Sequence, residues 1–153
     1  MASIYNEGIV GRTATFETEP REAADVLRWL DGVHPVVVVE DGGEVLGFAA
    51  TFEYRARPCY DGVAEFSVYV AAGARRRGVG RAAMEALAVD AEQAGFWKLV
   101  SRVFPENTPS LALLRSCGFR EVGLYERHGK LDGEWRDTVI VERLIGAGSE
   151  YDR

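Results

Sequence analysis

The sequence predicts a mixed α and β fold, because β-branched and alternating apolar runs recur along the chain with amphipathic helical patterns between them. With 153 residues, 47% hydrophobic and 27% charged, the chain suits one globular domain with its own core. We expect this domain to span residues 1–146 and a polar tail to occupy residues 147–153. No internal repeat or linker interrupts the pattern.

The beginning of the chain predicts helix followed by a β-hairpin. Residues 4–11 suggest the end of a helix, and residues 20–30 carry apolar side chains near one side of a second helix. Residues 36–40 and Glu44–Glu53 are apolar, β-branched-rich runs joined by an Asp-Gly-Gly sequence that is typical of a tight turn. We therefore expect these two runs to form a hairpin.

The next strand, Val63–Val70, alternates in a way that assigns its faces. Glu65, Ser67 and Tyr69 lie on one face, and the small and apolar residues between them lie on the other. The stretch from 55 to 62 before it predicts a loop.

The second half of the chain predicts two helices and three strands. Residues 81–94 have an apolar stripe at helical spacing, and Gly95 is a natural stop. Thr108 is the expected cap of a short helix that has Pro109 at its first position. The expected strands are residues 97–104, residues 119–128 and Glu134–Leu144.

Composition narrows the location and the partners. The sequence has no apolar run of 18 or more residues and no basic N-terminus followed by an apolar segment, so we expect a cytoplasmic protein without a membrane span. A formal net charge of -6 argues against nucleic-acid binding. Cys59 and Cys117 lack partners at zinc-ligand spacing, so we predict free thiols and no metal site.

A basic, glycine-rich loop between a strand and a helix is the main functional signal. Glycines let backbone N–H groups approach an anion closely, and the N-terminus of the following helix adds partial positive charge. The arginines suit a small polyanionic ligand, so we predict a pyrophosphate cradle. Its residues are Arg75, Arg76, Arg77, Gly78, Val79, Gly80 and Arg81.

Two other interpretations of this loop stay open. The run from Gly78 to Ala83 also fits the dinucleotide fingerprint, which is a weak signal by itself. A dinucleotide fold requires an acidic residue at the end of the next strand, where it binds the ribose. Residues 97–104 end without one, and the nearest is Glu106, which lies beyond a proline. The arginines could also form a solvated turn without a ligand.

Several motifs in order resemble the GNAT superfamily of N-acetyltransferases. The general ones are Arg75-x-x-Gly78-x-Gly80 after Val68-Tyr69-Val70, then Asn107 and Gly118-Phe119 downstream. Further motifs look like the phosphinothricin N-acetyltransferase branch: Ile4-Tyr5-Asn6, Ala14-Thr15-Phe16-Glu17-Thr18, Arg55-x-Arg57-x-x-Tyr60, Glu65 and Trp135-x-Asp137. The resemblance covers most of the chain.

The resemblance implies an α+β fold with a curved, mostly antiparallel sheet, flanked by helices and splayed where Val68–Val70 part from residues 99–103. Acetyl-CoA would enter that gap. The family's roles carry over as follows: the backbone around Val68, Tyr69 and Val70 contacts the acetyl-pantetheine arm, the Arg75–Arg81 loop wraps the pyrophosphate, and Asn107 contacts the cofactor from the next helix.

The same resemblance raises a question about the start of the fold. Relatives of this kind begin with a further strand before the Ile-Tyr-Asn segment, and we expect this first strand to be absent here. We expect either a truncated start or an exposed sheet edge that a homodimer partner covers.

The chemistry requires a base, because an amine must lose its proton before it attacks a thioester. Glu65 matches the family's general base, and a backbone N–H near Val70 is the expected oxyanion donor. The family's usual tyrosine acid is replaced by Leu114, so no general acid is assigned. A covalent route through Cys59 or Cys117 and a non-catalytic acyl-CoA sensor are the alternatives.

Arg55 and Arg57 indicate the class of acceptor. Two residues apart, they would share a face if the strand continued that far, and could bind an oxyanion together with Tyr60. By resemblance, Phe16 lies near the same pocket. The expected substrate is a small amino acid with a phosphinyl, sulfonyl, sulfoximine or arsinyl side chain. Acetylation of its α-amine would detoxify it. Surface arginines paired with Glu53 or Asp61, and a peptide N-terminus as substrate, stay open.

Overall fold

A six-stranded open sheet forms the centre of the computed structural model, which describes residues 1–150. The strand order is β1-β2-β3-β4-β6-β5, and only the β3–β4 pair is parallel. The mixed α+β class and the mostly antiparallel sheet are therefore confirmed. The strands are β1 Val36–Asp41, β2 Glu44–Glu53, β3 Val63–Val70, β4 Lys98–Val103, β5 Arg120–Leu131 and β6 Glu134–Leu144. The helices are α1 Ala2–Gly11, α2 Ala23–Leu27, α3 Val79–Gln93 and α4 Thr108–Ser116.

The β1–β2 hairpin forms as its turn chemistry predicts. Asp41 pairs with Glu44, so Gly42 and Gly43 alone make the turn. Both glycines have positive φ, 58° and 85°, which matches a type I′ turn and explains why two glycines stand there.

Helix α3 lies against one face of the sheet and forms the larger core. Its fully buried side chains include Met84, Leu87 and Ala91, which belong to one cluster with Ala64 and Leu99 of the central strands. The helix ends as expected, since Gly95 has φ +93° and the Phe96 N–H donates back to the Ala91 carbonyl.

Helix α1 covers part of the opposite face and begins earlier than expected. Its side chains Ile4, Tyr5 and Ile9 are buried in a second cluster with Phe48 and Ala50 of β2. Because neighbouring residues of a strand point to opposite faces, Phe48 and Ala50 serve this cluster while Ala49 serves the first.

Helix α2 is shorter than the predicted residues 20–30. A capping box between Glu22 and Asp25 starts the helix at Ala23, and Arg21 before it is held instead by the side chain of Asn6. The Asn6 side chain accepts from the Arg21 N–H at 2.7 Å and donates to its carbonyl at 3.0 Å.

The cap of α4 also differs from the expectation. Asn107 is the N-cap, its Oδ1 accepting from the Ser110 N–H at 3.3 Å, and Thr108 is the first helical residue. Proline follows within the first turn, where its missing N–H costs no hydrogen bond.

The N-terminal end of the described chain is helical. In residues 1–150, no strand precedes α1, and the sheet begins in chain order with β1. At the predicted end of the domain, Gly146–Gly148 form a short 3-10 turn, and residues 151–153 of the predicted tail lie outside the described part. Among the described residues, no helix combines the length and apolarity needed to cross a membrane.

The central strands β3 and β4 separate after only three residue pairs. Val63, Ala64 and Glu65 pair with residues 98–100, and the rest of β3 continues to pair with β2 while β4 continues to pair with β6. The predicted splay is thus present, and it leaves a wedge-shaped gap that opens towards the C-terminal ends of both strands.

Gly62 holds the closed end of this gap. Its carbonyl accepts from the N–H groups of Trp97, at 2.7 Å, and Lys98, at 3.2 Å, just before the three paired residues. A Cβ at Gly62 would lie 1.8 Å from the Trp97 ring, so the indole packs directly on the bare backbone.

We therefore expect Gly62→Ala to lower the free energy of unfolding by about 2 kcal/mol, because the ring must move away from the strand junction. Gly73→Ala is the matched control, since a Cβ there meets nothing within 4 Å. Urea unfolding of both variants tests this, and equal stability of the two would show that the Gly62–Trp97 contact is not needed.

Candidate active site

The gap between β3 and β4 exposes backbone groups that a sheet would normally pair. The Phe66 carbonyl points into the gap, where it accepts from the Ser101 hydroxyl at 2.9 Å. Backbone direction alternates along a strand, so the N–H and carbonyl of Val68 and Val70 face the gap as well. The Tyr69 backbone faces β2 instead, and its side chain packs beneath α1, with its ring 5.0 Å from that of Tyr5. Burial raises the pKa of the Tyr69 hydroxyl, so this group stays protonated.

The basic loop ends at the N-terminus of α3, next to the open end of the gap. Gly78 is the N-cap with φ +77°, and no side chain caps the helix or places an acidic group in its first turn. A Cβ at Gly78 would meet nothing within 4 Å, so the backbone there is open to a ligand. The first N–H groups of α3 and the partial positive charge of the helix end therefore form an anion cradle.

Gly80 keeps this cradle close to the gap. A Cβ at Gly80 would lie 2.8 Å from the Leu113 side chain of α4 and 3.4 Å from Val70 of β3. The absence of a side chain lets the first turn of α3 pack directly against α4 and β3. The cradle and the exposed edge of β3 thus lie side by side.

The four arginines of the basic segment Arg75–Arg81 differ in their ion pairing. Arg77 lies 3.7 Å from Asp41 and Arg81 lies 2.9 Å from Glu85, both as exposed pairs. Within residues 1–150, Arg75 and Arg76 form no ion pair, and Arg76 has φ +64°. Exposed ion pairs contribute little to stability, so all four arginines remain accessible to an anion. Arg75 and Arg76 are the most available, because they form no ion pair within residues 1–150.

Asn107 lies on the β4 side of the gap. Because its Oδ1 caps α4, the side-chain NH2 is the part of the amide left for a ligand. A cavity follows the gap between the strands, and Asn107 lines it together with residues of β3, β4 and α4. The other lining residues include Ala14, Ser67, Val68, Ser101, Arg102, Ser110 and Leu114.

Glu65 lies at the point where β3 and β4 separate, on the face away from α3. Its Oε1 accepts from Nη2 of Arg102 at 2.9 Å, and the glutamate and arginine side chains are 31% and 46% exposed. Nη1 of Arg102 also lies 3.3 Å from Nε2 of His128. The carboxylate is therefore accessible and partnered by one guanidinium.

A break in the β5–β6 pairing brings His128 to this position. Tyr125 pairs with Thr138 and Gly129 with Arg136, so three residues of β5 bulge out opposite one of β6. Arg127 in the bulge has φ +49°, and its N–H donates to Asp137 Oδ1 at 2.7 Å. Asp137 thus stabilises the bulge in β5.

Trp135 is 59% exposed, with Lys130 Nζ 4.3 Å from its ring centre, so it is not a core residue.

Phe16 forms an aromatic wall on the same side. Its ring meets that of Phe104 edge to face at 4.8 Å, and a Cβ at Gly129 would lie 2.8 Å from it. The Arg136 guanidinium lies 5.3 Å from the centre of the Phe104 ring. The structure thus places Phe16 beside the bulge that carries His128.

The condition for a strand face shared by Arg55 and Arg57 is not met, because the predicted loop over residues 55–62 is present instead. Strand β2 ends at Glu53, and Arg57 precedes a short 3-10 turn, Pro58–Tyr60, so both arginines lie in a loop. Arg55 lies over the Tyr54 ring at 5.1 Å rather than against Glu53 or Asp61. A hydrogen bond to Tyr54 raises the pKa of Arg55, with smaller contributions from Tyr60 and Glu65.

The structure also shows where Leu114, at the family's general-acid position, and the two cysteines lie. Leu114 is 1% exposed and lines the gap, so the family's tyrosine position offers no proton here. Cys117 is buried in the main core, and Cys59 is exposed in the 3-10 turn. Neither thiol lines the cavity.

Sequence reasoning missed Arg102 and His128 as neighbours of Glu65. They stand 37 and 63 positions away, on different strands, and His128 comes near only through an irregular bulge. The alternation along β4 was the available signal for Arg102, since it puts this side chain on the same face as Glu65.

Comparison with known proteins agrees with this geometry. A model of the acetyltransferase (GNAT) family matches residues 3–119. A phosphinothricin N-acetyltransferase of Alcaligenes faecalis is 34% identical over 153 residues, covering 97% of this chain and 78% of that protein. An L-methionine sulfoximine/L-methionine sulfone acetyltransferase of Pseudomonas paraeruginosa is 30% identical over 145 residues, covering 92% and 84%.

A solved structure extends the similarity to the whole fold. A GNAT superfamily phosphinothricin acetyltransferase from Sinorhizobium meliloti, in complex with acetyl-CoA, matches with a TM-score of 0.88 at 29% identity, covering 99% of this chain and 84% of that one. The open helix end at Gly78 and the unpaired edge of β3 are what a pyrophosphate and an extended amide-bearing arm require. The chain belongs to the acetyltransferase (GNAT) family and is an N-acetyltransferase with acetyl-CoA as its co-substrate.

Proposed function

We propose that this enzyme acetylates the α-amine of a small amino acid whose side chain ends in an oxyanionic or sulfonyl-type group. One observation carries the proposal: the Glu65 carboxylate lies where β3 and β4 separate, accessible on the face away from α3 and close to arginine side chains. The names of the two relatives, which refer to phosphinothricin and to methionine sulfoximine and sulfone, support this substrate class.

The donor half of the site uses the basic loop and the gap. When bound, acetyl-CoA supplies the acetyl group as a thioester. Arg75, Arg76 and the first N–H groups of α3 bind the pyrophosphate, with Arg77 and Arg81 adding charge at the rim. The backbone of Val68 and Val70 hydrogen-bonds the extended arm from one side of the gap, and the Asn107 amide contacts it from the other.

The reacting centre lies between Glu65 and the exposed edge of β3. Glu65 takes the proton of the substrate's ammonium, directly or through a water, which leaves a neutral amine as the nucleophile. The Val70 N–H stabilises the negative charge that develops on the carbonyl oxygen. It is free to do so without a change in structure, because β4 does not pair with β3 at this position. We assign no side-chain acid, because Leu114 is apolar.

The acceptor wall consists of Phe16, Arg55, Arg57 and Tyr60. Since the arginines lie in a loop rather than on a strand, they approach the oxyanion separately and not as a pair on one strand face. Arg55 remains cationic beside Tyr54, so it supplies positive charge at every relevant pH. Phe16 provides the apolar side of the pocket.

The single domain over residues 1–146, the cytoplasmic location and the homodimer stay predictions. The outer edge of β1 has no strand partner within residues 1–150, which is the feature that a second protomer would cover.

The substrate class is tested by a side-by-side assay of thiol release from acetyl-CoA. We expect turnover of at least one of phosphinothricin, methionine sulfone, methionine sulfoximine and arsinothricin, with a kcat/KM well above that of unsubstituted aliphatic amino acids. Turnover of a peptide N-terminus alone would favour a protein acetyltransferase. Tight acetyl-CoA binding without turnover of any amine would favour a sensor.

The role of Glu65 is tested by Glu65→Gln. We expect kcat to fall by about 10²- to 10⁴-fold near neutral pH, because the variant cannot accept a proton. The loss should shrink as pH rises, since more of the amine is then already deprotonated in solution.

Glu53→Gln is the matched control, an exposed glutamate at the end of β2 that pairs with the neighbour of Glu65 in register. The exposed ion pair with Arg102 contributes little to folding, so the melting temperature of Glu65→Gln should stay close to that of the wild type. Full activity of the folded Glu65→Gln enzyme at neutral pH would refute the assignment.

A further inference from the structure

Arg102 is the charged group nearest the proposed base, and the function proposed above gives it no task. It lies on β4 and reaches across the opening gap to Glu65, with 2.9 Å between Nη2 and Oε1. It is accessible, at 46% exposure, and it lines the cavity along the gap.

The Arg102–Glu65 pair is exchangeable. Ion pairs between exposed side chains contribute little to stability, because water solvates both partners nearly as well as they solvate each other. A guanidinium also has five N–H donors in a planar fork, and it binds a second carboxylate bidentately with little rearrangement. An incoming carboxylate can therefore replace Glu65 on Arg102 at small cost.

The geometry of an α-amino acid matches this arrangement. Its amine and carboxylate are attached to the same carbon, so the groups that recognise them must be neighbours. Glu65, which takes the proton from the amine, and Arg102 are in direct contact. Arg55, which also acts on Glu65 electrostatically, lies in the loop after β2 and is left for the substrate's side chain.

His128 keeps Arg102 in place when its other partner changes. A guanidinium only donates hydrogen bonds, so Nε2 of His128, 3.3 Å from Nη1 of Arg102, takes part in this contact as the acceptor. The bulge in β5, fixed by the hydrogen bond from the Arg127 N–H to Asp137, determines where His128 stands. One edge of the guanidinium is thus anchored while the other edge can exchange partners.

We propose that Arg102 binds the α-carboxylate of the amino-acid substrate, and that this exchange releases Glu65 Oε1 to accept the proton of the adjacent amine. The inference rests on the proposed function and adds the group that recognises the acid. An amine without a neighbouring carboxylate leaves Glu65 paired with Arg102 and is a poor substrate. The exchange therefore selects free amino acids over peptide N-termini and simple amines.

The test compares L-methionine sulfone, or whichever amino acid of the panel is turned over fastest, with its own α-carboxamide. The two share one skeleton and differ at the group that Arg102 binds; because the carboxamide also lowers the pKa of the α-amine, kcat/KM is compared per deprotonated amine. For the wild type we expect kcat/KM to be about 10- to 100-fold higher for the acid, as for loss of one charge-assisted hydrogen-bonded pair. For Arg102→Gln the acid should lose this factor, mainly through KM, while the carboxamide is unchanged or improves.

Two further variants sharpen the result. Arg115→Gln removes another exposed arginine that pairs with a glutamate, Glu121, and should leave both substrates unaffected. Arg102→Lys keeps the charge without the fork and should retain part of the preference. If Arg102→Gln does not fold, the acid-to-carboxamide ratio of Arg102→Lys decides in its place, because a purely structural role leaves that ratio at the wild-type value.

Two results would overturn the inference. An equal fall for both substrates in Arg102→Gln would mean that Arg102 only orients Glu65. A wild-type enzyme that acetylates acid and carboxamide equally well would leave the proposed function standing without a role for the carboxylate. Failure of the wild type on every amino acid would instead contradict the proposed function itself, and this is seen before any variant is made.

Discussion

The loss of pairing between β3 and β4 is the constraint on which the rest of the site depends. Three residue pairs hold the strands together at residues 63–65, and beyond them each strand pairs only with its other neighbour. In most sheets unpaired N–H and carbonyl groups in the interior would be costly. Here they face a gap that an amide-bearing ligand can fill, and one of them is already satisfied by the Ser101 hydroxyl. The fold therefore keeps a defect at its centre that is useful for binding.

The two ends of this gap have different electrostatics although the chain as a whole carries a charge of -6. At the open end, an uncapped helix N-terminus and the arginines of the loop attract a diphosphate. At the closed end, the Glu65 carboxylate stands among guanidinium groups that can hold an acidic substrate. We propose that this arrangement separates the two substrates: acetyl-CoA would lie along the gap, and the amino acid would approach from the face away from α3, with Glu65 where the two meet.

The sequence predicted best those parts that depend on local patterns. The bounds of β2, β3 and β6 match the predicted ranges. Composition identified the basic segment Arg75–Arg81, although α3 begins at Val79, two residues before the predicted start of the helix. The missing parts depend on contacts between distant residues. Nothing near His128 in the sequence shows that β5 bulges toward Arg102. Arg102 itself has the right alternation along β4, but its role depends on how far that strand lies from β3, which only the folded chain determines.

We expect the basic loop and the splayed edge of β3 to form one continuous site for acetyl-CoA. Backbone amide chemical shifts, measured by NMR during titration with coenzyme A, test it most directly. The account predicts the largest changes in two separated stretches at once, Gly78 to Arg81 at the start of α3 and Val68 to Val70 on β3, with little change in the β1–β2 hairpin. Changes at the loop alone, with Val68 and Val70 unaffected, would contradict it, because the ligand would then bind only through its phosphates.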